Sequence, residues 1–146
     1  MQRYVFGLLG IAVCSTLIGC SSPTTGSVKE QLYAKPGEKL APGADEQWMM
    51  SFVGINDAGQ INNNLTYPAH LEGDGAFRVV ASNGEVPPGK YRVACEVEYT
   101  KSTTKQGRPL RADRFGGKYS KEKSPLTVEV KLGENDFPIE LGEVSR

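Results

Sequence analysis

Histidine is almost missing from this chain. His70 is the only one among 146 residues, and Trp48 is the only tryptophan. One histidine cannot build a zinc site without Cys or carboxylate partners at ligand spacing, and no such set shows. The same scarcity removes a Ser/His/Asp or Cys/His nucleophilic set. No glycine-rich phosphate cradle or supported pair of acids takes its place. Glu72 and Asp74 fall well short of a calcium cage of about six to eight oxygens. The expectation is therefore no catalytic residue, no metal and no cofactor, in a protein that is not an enzyme. Net charge is lacking too. Seventeen basic residues balance seventeen acidic ones, so no global field argues for nucleic acid as a partner. There is no internal repeat, and no long run keeps a helical period.

The longest apolar stretch lies at the N-terminus. Arg3 supplies a positive flank, and Val5 to Ile18 are apolar apart from Gly7, Gly10, Cys14, Ser15 and Thr16. That length fits a secretory signal-peptide helix and is short for a membrane span. The run ends in Leu17-Ile18-Gly19-Cys20, which resembles a bacterial lipobox. The resemblance implies cleavage between Gly19 and Cys20, a diacylglyceryl thioether on the Cys20 sulfur and acylation of the new amine. Two or more chains, at about 0.8 kcal/mol per buried methylene, make a stable anchor. A cleaved signal with an incidental Cys, or an uncleaved anchor, is the competing reading. Cys14 follows the bulky Val13 and makes a poor cleavage site. Ser21, unlike Asp at that position, is permissive for transport to the outer membrane in a two-membrane host. The expected location is the cell envelope, in the outer membrane and facing the periplasm. Cys14 leaves with the signal and Cys20 carries lipid, so Cys95 stands alone and no internal disulfide can form.

This divides the chain into a lipoprotein signal peptide (1–19), a lipidated N-terminus with its SSPTTGS tether (20–27) and one domain (28–146). Removal of residues 1–19 takes Arg3 alone among the charges, leaving sixteen basic and seventeen acidic residues. The domain is long enough for a single core. It consists of short runs of period-two alternation separated by Gly, Pro, Asn and Asp. Seven strands are predicted: Val28–Tyr33, Glu46–Ile55, Leu65–Leu71, Phe77–Ala81, Tyr91–Tyr99, Leu126–Lys131 and Phe137–Leu141. In the second, Trp48, Met50 and Phe52 share one face while Met49, Val53 and Ile55 share the other, as in a central strand. Pro68 pushes the third, with His70, toward a sheet edge. Glu72-Gly73-Asp74-Gly75 carries a strong hairpin signal. The fifth puts its odd positions, Cys95 among them, in the core and its charged even positions in water. Gly133-Glu134-Asn135-Asp136 reads as a turn. Seven short strands predict an all-β domain, a two-sheet β-sandwich of prealbumin-like or Ig-like type.

Several segments carry a family likeness: Gly73-Asp74-Gly75-Ala76-Phe77; Val86-Pro87-Pro88-Gly89-Lys90-Tyr91-Arg92-Val93; Lys118-Tyr119-Ser120; Ser124 to Val130; and Gly133-Glu134-Asn135 with Phe137. Together they resemble small bacterial lipoproteins with a carboxypeptidase regulatory-like domain, of transthyretin-like fold. The likeness covers roughly residues 28 to 142. The first strand lacks the usual small-residue, Gly-containing start, and the segment from Thr100 to Lys123 is longer than the pattern. The resemblance implies an accessory, structural or protein-interaction module without catalytic residues of its own.

That long segment is the strongest charge feature. Thr100 to Lys123 holds eight basic residues against Asp113 and Glu122, while the rest of the mature chain is acidic. The plain reading is a solvated connection whose cations lie over acidic strand faces such as Glu96 and Glu98. The sharper one is an anion-binding patch of Lys105, Arg108, Arg111, Arg114 and Lys118, with Phe115 and Tyr119 as apolar contacts. Its ligands would be lipid or lipopolysaccharide head groups, acidic cell-wall polymer or a carbohydrate. Expected partners are thus the membrane, through the anchor, with envelope proteins or wall polymer beside it.

Overall fold

β-Branched and aromatic residues in alternation pack well on a pleated surface and poorly on a helix, and the fold follows that preference. The computed structural model describes residues 25–80 and 85–142. Within them the chain is all-β: β1 (Gly26–Lys35), β2 (Glu38–Lys39), β3 (Glu46–Ile55), β4 (Ile61–Leu71), β5 (Ala76–Val79), β6 (Glu85–Val86), β7 (Gly89–Thr103), β8 (Pro109–Asp113), β9 (Thr127–Val130), β10 (Gly133–Asn135) and β11 (Ile139–Glu140). Among the described residues no helix is long and apolar enough to cross a membrane. The expected signal helix, the Gly19–Cys20 cleavage site and most of the tether lie outside the described residues.

Hydrogen bonds join the strands into one sheet, in the order β10-β1-β5-β4-β3-β7-β8. Neighbours are antiparallel except where β10 and β11 run parallel to β1. β9 pairs with β7 at one end of this order, and β10 pairs with β1 at the other. Only Lys131 and Leu132 separate β9 from β10. The sheet must therefore curl until its ends approach. The start of β1 is so close to this crossing that a Cβ on Gly26 would lie 2.2 Å from the Lys131 carbonyl oxygen. The concave side holds the core: Val28 and Leu32 from β1, Met50 and Phe52 from β3, Phe77 and Val79 from β5, Tyr91, Val93, Cys95 and Val97 from β7, with Tyr119, Val130, Ile139 and Leu141.

Several sequence expectations change here. The described residues form eleven strands where seven were expected, and hydrogen bonds link these into one open, mainly antiparallel sheet. β4 is interior, between β5 and β3, and His70 with it. Pro68 is tolerated because its carbonyl accepts from the Val80 N–H (2.7 Å), so its ring nitrogen faces the same way, just past the end of β5. The ladder with β3 loses no donor. Gly133–Asn135 is a strand, not a turn. The Asn135 side chain donates to the carbonyls of Ser27, Lys131 and Gly133, clamping β10 beside β1. The strand expected at Phe137–Leu141 shortens to Ile139–Glu140, and the one expected at Phe77–Ala81 closes at Val79. β1, the least patterned of the expected strands, is the most heavily paired, with β2, β5, β6, β10 and β11.

The hairpin expected from Asp74-Gly75 does join β4 to β5. Gly75 has φ +84°, and a Cβ there would sit 2.0 Å from the Leu40 carbonyl oxygen. Its own carbonyl accepts from Leu32 N–H (2.9 Å), and buried Gln31 reaches the Asp74 carbonyl (3.0 Å). The turn is thereby locked to both β1 and the strand-end at Leu40. Gly75→Ala meets a left-handed backbone and an immovable neighbour together, and is expected to cost about 2–3 kcal/mol in urea unfolding. A change under about 0.5 kcal/mol would show that the turn relaxes freely.

Candidate functional site

The basic segment from Thr100 to Lys123 divides in two. β7 runs on to Thr103, past Tyr99, where its pairing with β3 ends at Glu46. Beyond that point it pairs with β8 alone, as a ribbon closed by the Thr104–Arg108 turn. Thr104 caps the turn by accepting from Arg108 N–H (3.0 Å), and Gly107 adopts φ +79°. The sequence held the signal for this hairpin, a Thr-rich run, a Gly and then Pro109-Leu110-Arg111-Ala112, but the density of charge masked it.

The second half folds back onto the core. The Asp113 carboxylate accepts from the N–H groups of Val97 (2.8 Å) and Gly117, tying the end of β8 to β7. Trp48, Phe115 and Tyr119 stack edge to face, with centroids 6.2 and 5.1 Å apart. The Tyr119 hydroxyl donates to the Leu141 carbonyl, and Cys95 N–H donates to the Tyr119 carbonyl (2.8 Å). Phe115 and Tyr119, expected as contacts for a ligand, are instead turned inward because their apolar area stabilises more in the core than at the surface. Arg92 ties this half to the β3–β4 turn by donating to the carbonyls of Lys121, Glu122 and Gly59.

The five candidate cations go to different places. Arg114 is largely but not fully buried and donates through Nη1 to both oxygens of Glu46, at 3.1 and 2.9 Å. Its guanidinium lies 5.9 Å from the Trp48 ring centre. Arg111 donates to Glu98 (3.0 Å) and Gln47 (2.8 Å) at the surface. Lys118 sits 4.9 Å from the Tyr119 ring centre. Lys105 and Arg108 flank the hairpin tip, exposed, with Lys101 on the same ribbon. No ion pair involves these last three among the described residues. Glu98 does take a cation, as the plain reading expects.

Glu46 was missed by the sequence reading, although its alternation with Trp48 places a charge on a core-facing position. Its carboxylate also accepts from Gly43 N–H (2.9 Å) and the Trp48 indole (3.1 Å). Burial alone would raise its pKa, but the Gly43, Trp48 and Arg114 donors together outweigh it and hold the carboxyl below its ordinary value. A carboxylate kept ionised, with its oxygens committed to four donor contacts, is a poor general base at neutral pH. It lines a hollow of about 350 Å³ with Gly43, Ala44, Asp45, Tyr99, Thr100 and Arg114, at the base of the ribbon. The arrangement braces the ribbon more readily than it transforms a substrate. Cys95 is fully buried, and burial pushes its thiol up to about 12, as suits a small core residue. Among the described residues no group of three or more His, Cys, Asp or Glu side chains could hold a metal ion.

Comparison with known proteins gives no matching family model, no matching curated protein and no matching solved structure.

Proposed function

We propose that this chain is a lipid-anchored, non-catalytic module of the bacterial envelope that works by contact, as a structural or protein-interaction unit. On this reading it is tethered by acyl chains on Cys20 to the outer membrane and faces the periplasm. Its curled sheet serves as a two-layer sandwich of the carboxypeptidase regulatory-like kind. The Leu17-Ile18-Gly19-Cys20 pattern and the short SSPTTGS tether support the anchor. The observation that carries contact over chemistry is the overhanging β7–β8 ribbon, because a two-stranded projection buries little and earns no core stability. The second reading, a module binding an anionic envelope polymer through residues 100–123, is favoured by the exposed cations at Lys101, Lys105 and Arg108.

The anchor is tested by treating cells with globomycin and weighing the intact protein. The precursor is expected to accumulate, and the untreated mature chain to begin at Cys20 and carry acyl groups. A mature mass without acyl groups and no accumulated precursor would overturn the reading. Envelope pull-down with the full-length protein then separates a specific protein partner from retention on wall material.

A further inference from the structure

The start of the described chain and the tip of the ribbon lie at opposite poles. Thr25 accepts from Gly133 N–H (3.1 Å), and a Cβ on Gly26 would touch the Val130 side chain at 2.7 Å. Val130 pairs with Gly89, the first residue of β7. The N-terminal root is therefore beside the beginning of β7, while the Thr104–Arg108 turn follows its end. β7 has 15 residues, and at about 3.3 Å each they separate root from tip by up to about 45 Å. Two of the exposed large apolar side chains, Leu132 and Val80, also sit at the root pole. Leu132 precedes Gly133, the partner of Gly26, and Val80 follows a strand running toward the start of β1. A tether leaving the root toward a bilayer leaves the ribbon pointing away from it.

The ribbon itself is chemically one-sided. Lys101, Lys105 and Arg108 are exposed and unneutralised by any described acid, amid Ser102, Thr103 and Gln106. Leu110 is its only exposed large apolar residue. A folded protein partner needs roughly 800 Å² per side around an apolar, aromatic-rich centre, which the ribbon lacks. Spaced cations among hydroxyl and amide groups suit an extended polymer that carries carboxylates and sugar hydroxyls.

We propose that the β7–β8 ribbon binds acidic cell-wall polymer on the side of the domain away from the anchoring bilayer, through Lys101, Lys105 and Arg108. This rests on the second reading above, a module that binds an anionic envelope polymer, and narrows it to three residues of the ribbon. Arg111, Arg114 and Lys118 are set aside, being engaged with Glu98, Glu46 and Tyr119. The acidic remainder of the domain repels the same polymer, so the contact is confined to the ribbon.

The test uses the full-length lipidated protein. In detergent micelles it is sedimented with purified cell-wall sacculi, and the bound fraction is expected to fall with added salt. Combined Lys101→Glu, Lys105→Glu and Arg108→Glu changes, all on exposed positions, are expected to lower it at least tenfold while leaving the thermal midpoint unmoved. In a second arm, Gln106→Cys carries a fluorophore, Cys95 being buried and unreactive. The protein is placed in phosphatidylglycerol vesicles bearing a head-group quencher, and no quenching is expected. Equal sedimentation of the triple variant, no sedimentation of the wild type, or quenching at position 106 would each overturn the proposal. The acyl mass of the mature chain is untouched by any of these outcomes, so failure here is distinguishable from failure of the anchor.

Discussion

Replacing Glu46 with alanine is expected to destabilise the domain by about 4 kcal/mol, because it strands a largely buried guanidinium. The Glu46 and Arg114 side chains are only 8% and 13% exposed. Removing the carboxylate takes the acceptor from Arg114, from the Trp48 indole and from Gly43 N–H together. Arg114 makes no second ion pair among the described residues, and its Nε is already buried without a partner. The loss should show in urea unfolding as a lower midpoint at unchanged slope. Glu46→Leu combined with Arg114→Met should restore most of it, since an apolar pair carries no desolvation penalty. If the single change costs less than about 1 kcal/mol, water must reach the site and the ion pair is not a brace. The pH dependence has a definite sign. The folded-state pKa of Glu46 lies below its ordinary value of 4.5. Its contribution is therefore complete above about pH 4.5 and is lost as pH falls through the depressed folded value. Glu46→Gln should remove that acid-side slope. Because Arg114 follows β8 directly, the Glu46→Ala variant should also free the ribbon base and speed proteolysis at residues 104–108.

Phe52→Ala is expected to cost about 4 kcal/mol as well, through a cavity rather than a charge. Phe52 is fully buried in β3, in register with Val93 of β7 and Tyr67 of β4, and its ring centre lies 6.0 Å from that of Phe77. Three strands meet around it, so no single neighbour can move in to fill the space. Phe52→Leu, which keeps most of the volume, should recover more than half. A loss below about 2 kcal/mol in Phe52→Ala would indicate that the curled sheet collapses onto the vacancy.

Both residues bear on how much of the fold could be read in advance. The inward position of Phe52 follows from local alternation, and β3 begins and ends where that alternation does. The same holds for the odd positions of β7 and for the Asp74-Gly75 hairpin, whose conformational demand is written in two residues. Glu46 continues the same inward face, yet nothing local says that a carboxylate can be buried there. Its tolerance depends on Arg114, 68 positions away. The ribbon escaped notice for a related reason. Its pairing partners are local, but its charge obscured the pattern, and its projection depends on β3 stopping at Glu46.

Sequence alone determined the strand-forming faces, the tight turns, the polarised charge and the expectation of a lipidated Cys20, because each rests on neighbouring residues or on a contiguous motif. Tertiary structure alone decided the rest. β1 became the hub by gathering β5, β6, β10 and β11, all distant in sequence, beside its neighbour β2. β4 became interior although it carries Pro68, because β5 ends before the missing donor matters. The basic segment was split into a braced half, where Arg114 meets Glu46 and Phe115 and Tyr119 join the core, and a projecting half that meets neither. These outcomes follow from long-range pairing and from the cost of desolvating a charge, and neither is a property of any short stretch of chain.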